Sequence, residues 1–480
     1  MKIQHYFIKN TRVVHFMIGI MVITGIASCK KAINIGPPTT ELASANVYTS
    51  NATAEAVISG LFTKMSGSGN MYNGANSVAI QQGLAADEFK DYSNSATGGS
   101  ISFYTNSLTS TSSYYWQEIF SELFTCNSAI AGLTSSTSLT PAIQQQLLGE
   151  AKFARAYIFF NAVNLYGDVP LLLGTDPNVN KVIGRSPASD VLKQVVQDLS
   201  DAQNLLPDNS YVTFTGTLTT SRTLPNKQTV SALLARVYLY MQDWKDAEAQ
   251  ATSVIGSSSY LLEPVLTNVF LTTSRETIWE LQSTSSNYGN ADAYSLVMTA
   301  PPTGLVNYLA LSDSLIRAFE SGDKRFSNWV GQISSGTITY YYAYKYKQAY
   351  VNAGGAINEY PVMFRLAEQY LIRAEARAEQ TNISGAQSDL NAVRQRAGLS
   401  NTTATTQSSL LNAIYHERRI ELFTEFGHRW FDLKRTGQLD AVMSIIAPEK
   451  GGSWSSYKAL VPVPQSEILL DSHLTQNPGY

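Results

Sequence analysis

Two short helices joined by a tight turn are written into residues 229–255, TVSALLARVYLYMQDWKDAEAQATSVI, and no other stretch restricts the fold as much. Val230, Leu233, Leu234, Val237, Tyr238 and Met241 recur at spacings of three and four, which places them on one helix face. Asp243 caps the next helix in this reading, with Asp246 at the third position, a capping box with Asp in place of Glu. Ala247, Ala251, Val254 and Ile255 give the second helix a narrow apolar side, and its small residues let two backbones approach closely. The pattern is that of a tetratricopeptide-type helical hairpin. One hairpin cannot cover its own apolar face, so it must stack on neighbours. The expected fold is therefore mostly α: a tetratricopeptide-like helical-repeat scaffold carrying an irregular, loop-rich, aromatic-rich ligand-binding face.

A chain of 480 residues with 44% hydrophobic content is long enough for a large core. Charged residues make up 15% of it, against a soluble average of about 25%. A net charge of −3 without a basic block argues against nucleic acid. With 27 Tyr, 18 Phe and 6 Trp among long neutral polar loops, the chain suits uncharged, hydroxyl-rich partners.

The first twelve residues carry Lys2, Lys9 and Arg12 and no acid, and Phe16–Ile26 is uncharged throughout. That run has the length of a secretory apolar region and is too short to cross a bilayer. It ends in Ile26-Ala27-Ser28-Cys29, which resembles the bacterial lipobox. The expectation is a signal peptide at 1–28, lipidation of Cys29 and a tether over 29–40. Removing residues 1–28 takes away three basic residues and no acid, so the net charge moves to near −6. Each buried acyl methylene adds about 0.8 kcal/mol, so several chains anchor firmly.

Helices are expected over 45–65, 113–133, 141–166 and 188–206, ahead of the 229–255 hairpin. The segment 79–107 is polar with aromatics and reads as long loops with short strands. Cys126 falls on a helical apolar face and should pack as a small hydrophobe. These elements make up an N-terminal repeat part, 41–255. Periodicity then weakens over 256–360, an aromatic insertion in which 338–350 reads as a strand covered on both faces. Repeats resume in a C-terminal part, 361–480. A helix is expected over 363–379, another from Ser384 with Gln387 completing a capping box, and a last long one over 410–426.

The densest charge cluster is HERRIELFTEFGHRWFDLKRTG, residues 416–437. His416 has no second His four residues on, so the zinc-helix spacing is absent. Arg419, Glu421, Glu425, Arg429, Asp432 and Arg435 read instead as ion pairs around a helix junction, beside Phe423, Trp430 and Phe431. A glycan hydrolase would need a carboxylate pair at suitable separation. Asp87 and Glu88 are adjacent acids in a polar loop, where a solvated face, a cap or an ion site is the ordinary outcome. No cofactor is expected, and a structural calcium ion is left open. Aromatic rings can lie against the apolar face of a sugar while nearby polar groups bond its hydroxyls. The ligand-binding candidates are Tyr92, Phe103, Tyr104, Tyr288, Trp329 and Tyr342, with Asp87 as polar partner.

Several stretches resemble the SusD/RagB family of outer-membrane nutrient-binding lipoproteins: EAKFARAYIFFNAVNLYGDVPLL at 150–172, RLAEQYLIRAEA at 365–376, LNAVRQRAG at 390–398, ERRIELFTEFGHRWFDLKRTG at 417–437, and the ending LVPVPQSEI…LTQNPGY. The resemblance implies a non-enzymatic, lipid-anchored surface protein of the outer membrane. Such a protein lies over a TonB-dependent (SusC-like) transporter and captures oligosaccharide or polysaccharide. A peptide ligand is the alternative within the family. A glycan-active enzyme and a structural adaptor are the alternatives outside it. The family's ligand loops carry no fixed motif, so the resemblance assigns no individual ligand residue.

Overall fold

Small side chains decide how closely the repeats stack. The computed structural model describes residues 44–93, 99–285, 289–304, 307–352 and 355–480. In it the hairpin consists of helices Lys227–Met241 and Trp244–Ile255. Asp243 caps the second, accepting from the Asp246 N–H at 3.3 Å. Ala235, Ala247, Ala251 and Ala376 form an apolar seam with Leu239 and Ile372, joining the hairpin to helix Leu366–Glu379. Gln228 to Val237 is buried without a break, so neighbours cover this helix on more than one side. Met241 differs from expectation. It is 36% exposed, at the end of its helix, where the chain turns through a left-handed Gln242 into the second helix.

The other helices extend the same solenoid. Trp116–Ser135, Pro141–Tyr166 and Ala188–Leu205 pack in order, and the last leads onto Lys227–Met241. Gly149 lets the second and third of these approach: a Cβ there would meet the Leu206 side chain at 2.8 Å. Cys126 is fully buried in the main core. Buried ion pairs join successive repeats, Arg155 to Asp198 at 2.6 Å and Arg236 to Glu368 at 2.6 Å.

The chain leaves the solenoid after Ile255 and returns at Leu366, yet the two flanking helices pack directly on each other. The intervening segment departs and returns through a two-stranded antiparallel neck, Thr277–Glu280 with Val362–Arg365. Trp279 and Phe364 pair in that neck, 5.3 Å between ring centroids, and plug into Phe153 and Tyr157 of the long helix. Met363 therefore lies in a strand and not in the expected helix.

Three further expectations change. Within 79–107 the structure has a helix, Val78–Ala85, started by Ser77. Every residue of it is buried, so no amphipathic period marked it. The helix expected from Ser384 is Ile383–Arg396, capped by Asn382 through the Gly385 N–H, while Gln387 turns away to the Ala404 carbonyl. The helix expected to end at 426 stops at Glu421, and two more follow, His428–Arg435 and Leu439–Glu449. Asn477, in a tail poor in apolar residues, is buried by hydrogen bonds to the Tyr166 and Val461 carbonyls.

Arg236 donates to both Glu368 carboxylate oxygens, at 2.7 and 2.6 Å, with both side chains buried. Removing one member of such a pair strands the other charge. Arg236→Ala is expected to destabilise the protein by about 3–5 kcal/mol, measured as a lower urea midpoint with an unchanged slope.

Candidate ligand-binding site

A short antiparallel pair starts the site. Phe89–Asp91 runs beside Leu309–Leu311, and the Tyr92 N–H extends the ladder to the Tyr308 carbonyl at 2.8 Å. Side chains alternate along a strand. Phe89 points into the core, and Lys90 and Tyr92 share the outer side. The Lys90 ammonium stands 5.2 Å from the Tyr92 ring centroid, and a hydrogen bond with Tyr92 leads the causes that raise its pKa.

The second part is the hairpin of Val330–Ser335 and Ile338–Ala343, turned at Gly336 with φ +60. Tyr340 and Tyr342 occupy one side of the second strand. Tyr341 faces the other way, onto Phe326. Tyr340 meets Tyr92 edge-on, 5.3 Å between centroids at 81°. Tyr342 lies across its cross-strand partner Gly331, where a Cβ would come within 2.2 Å of the ring. Tyr344 adds a further edge contact to Tyr342 at 5.7 Å. Tyr104 ends the helix Gly99–Tyr104, near Lys90 and the Asp91 backbone. Burial raises the pKa of both Tyr104 and Tyr342. The result is a half-buried tyrosine face edged by lysines, Lys90 at Tyr92, Lys347 at Tyr344 and Lys450 at Tyr104.

Of the sequence candidates, Tyr92, Tyr104 and Tyr342 are half-buried side chains in this region. Three others are corrected, because they are interior. Trp329 is wholly buried, donates its indole N–H to the Leu266 carbonyl at 2.9 Å, and is approached by Lys345 and Arg396 at 5.0 and 5.5 Å. Phe103 is 3% exposed and packs edge-on against Tyr114. Asp87 is 3% exposed and ion-paired to Arg419 and Arg429, each at 2.7 Å. Its neighbour Glu88 is also buried, accepting from the Thr424 N–H. Burial pushes Glu88 up to about 7. The adjacent acids are thus neither a solvated face nor a free polar partner. Tyr288 and Cys29 lie outside the described residues.

Tyr340 was missed, although the alternation in Tyr340-Tyr341-Tyr342 carried the signal. The strand ends at Ala343, and its tyrosines are only half covered. An exposed edge-on pair, Tyr294 and Tyr350 at 5.1 Å, also went unselected, since nothing in sequence links two residues so far apart. Among the described residues, no group of three or more His, Cys, Asp or Glu is arranged to hold a metal ion.

Comparison with known proteins adds an independent line. A family model described as the SusD family matches residues 324–480, and one described as starch-binding associating with outer membrane matches 44–239. SusD-like protein P2 of Formosa agariphila is 28% identical over 419 residues, covering 77% of this chain and 80% of its own. A crystal structure of a SusD-like protein from Bacteroides fragilis superposes with a TM-score of 0.77 at 21% identity, over 93% of this chain and 100% of that one. A structure described as a laminarin-binding SusD-like protein gives 0.75 at 24% identity, over 89% and 99%.

Burial alone would raise the Asp87 carboxyl, but Arg429 and Arg419 hold it at about 2. A carboxylate lowered from 3.8 in this way lends stability above that value and loses it as pH falls toward 2. Asp87→Asn should therefore be less stable than wild type at pH 7, with the difference shrinking between pH 4 and 2 in denaturation curves. Ligand binding at pH 7 should be unchanged.

Proposed function

The chain belongs to the SusD/RagB family, and from that premise we propose that it is a surface glycan-binding protein of the outer membrane. It captures a neutral oligosaccharide or polysaccharide and passes it to a TonB-dependent, SusC-like transporter without breaking bonds. The observation that carries this reading is the tyrosine face, where Tyr92 and Tyr340 meet and Tyr342 lies flat over Gly331. Tyrosines present apolar ring area together with a hydroxyl, the combination that a sugar's C–H face and hydroxyls require. Lys90 supplies a donor at the edge, and the exposed Tyr294–Tyr350 pair offers a second stacking position.

The starch-binding, outer-membrane description of the N-terminal family model and the laminarin-binding description of a structural neighbour support the same ligand class. Lipidation at Cys29 would hold the protein at the membrane, facing the exterior beside its transporter. The low charge of the chain favours uncharged ligands. Binding rests on several weak contacts, so ligand can be released to the transporter.

Calorimetry on the full chain in a sugar-free detergent, with a panel including maltoheptaose and laminarihexaose, tests the reading. Saturable binding of one glycan class with no new reducing ends is expected. Tyr92→Ala and Tyr340→Ala should each weaken it by about 1–2 kcal/mol, or roughly 5- to 30-fold. New reducing ends would overturn the non-catalytic role. Binding of peptides and of no glycan would overturn the ligand class.

A further inference from the structure

A cleft of 510 Å³ shares no lining residue with the tyrosine face. Its volume lies within the range of small-molecule sites, about 300–1,000 Å³. One wall is the end of the helix Asn51–Met65, where Ser59, Phe62, Thr63 and Ser66 fall at helical spacing on a single face. The facing wall follows the hairpin Tyr211–Val212 and Leu218–Thr219, and here alternate residues Thr219, Ser221 and Thr223 bring hydroxyls to the cleft. Residues 281–284 close the third side.

The floor is apolar. Phe62 and Phe214 lie 6.5 Å apart between centroids, and the buried Leu281 lines the cleft with them. The lining is also free of charge among the described residues. This is a matter of side-chain direction, because cations flank it in sequence. Lys64 reaches to the other side of its helix and bonds the Ser121 hydroxyl at 2.7 Å. Arg222, between Ser221 and Thr223, is spent on the Ser259, Arg275 and Thr277 carbonyls and lies over the Tyr211 and Tyr260 rings.

We propose that this cleft is a second binding site, for a compact neutral carbohydrate. An apolar aromatic floor under a hydroxyl-bearing rim, with the nearest cations turned away, matches the two faces of a pyranose ring. A charged ligand would find no counter-ion and would lose its hydration on entry. The argument stands on the cleft's own lining and does not depend on the tyrosine face.

Saturation-transfer NMR on the full chain in a sugar-free detergent tests it. The probes are methyl α- and β-D-glucopyranoside, methyl β-D-xylopyranoside and, as the charged counterpart, methyl β-D-glucuronide. Transfer to at least one neutral glycoside is expected, and none to the glucuronide. The signal should persist in the double variant Tyr92→Ala/Tyr340→Ala, which isolates the cleft from the tyrosine face. It should fall at least fivefold in Thr63→Leu and in Thr219→Leu, which remove a hydroxyl from opposite walls. Thr63 is exposed, so the first variant leaves the core intact. Absence of transfer to every neutral glycoside would overturn the proposal. So would an undiminished signal in both leucine variants, or complete loss in the tyrosine double variant.

Discussion

Glu421 is the carboxylate on which the insertion and the C-terminal repeats converge. It ends the helix Gln407–Glu421 and accepts from Arg325 at 2.9 Å, from Arg365 at 2.5 Å and from Arg396. Those three arginines come from the insertion, from the returning neck strand and from the end of a repeat helix. Arg365 also bonds Glu276 and Glu425, and Lys345 bonds Glu425 together with the Glu421 and Phe423 carbonyls. Burial alone would raise Glu421, but four surrounding cations hold it well below its ordinary value. A buried array of this kind adds little net stability over apolar packing, yet losing one member is costly. Its contribution is to fix where separate chain segments meet.

The tyrosine face depends on that array. The hairpin carrying Tyr340 and Tyr342 begins one residue after Trp329 and ends two residues before Lys345. Trp329 is locked by its indole hydrogen bond and by cations around its ring. Lys345 is locked by three oxygens. Both stems of the hairpin are thus clamped inside the protein, and only its middle and tip reach the surface. A ligand site set on a rigid stem binds with less ordering cost than one on a free loop. Trp329, chosen in sequence as a ligand residue, serves the site as an anchor.

Much of the scaffold was legible because helical period and caps are local. The hairpin at 229–255, its Asp243 cap and the long helix Pro141–Tyr166 needed only spacing and stop signals. The ion pairing of the charge cluster at 416–437 is legible in its spacing, but its partners are not. Asp87, Arg325, Lys345, Arg365 and Glu375 come from distant parts of the chain. The segment 79–107 failed for a related reason. A helix buried on every side has no polar face, and its glutamines resembled a loop.

By itself the sequence determined a stacked helical-repeat scaffold and a family, since both rest on residues close together in the chain. It also supplied the supply of tyrosines and the low charge that orient the functional reading toward neutral ligands. Only the tertiary structure decided which aromatics face solvent. Tyr92 and Tyr342 stay half exposed, while Trp329 and Phe103 become core. The physical reason is that an aromatic side chain gains by burial wherever a partner surface arrives to cover it. Whether one arrives depends on long-range strand pairing and ion pairs that no local pattern records.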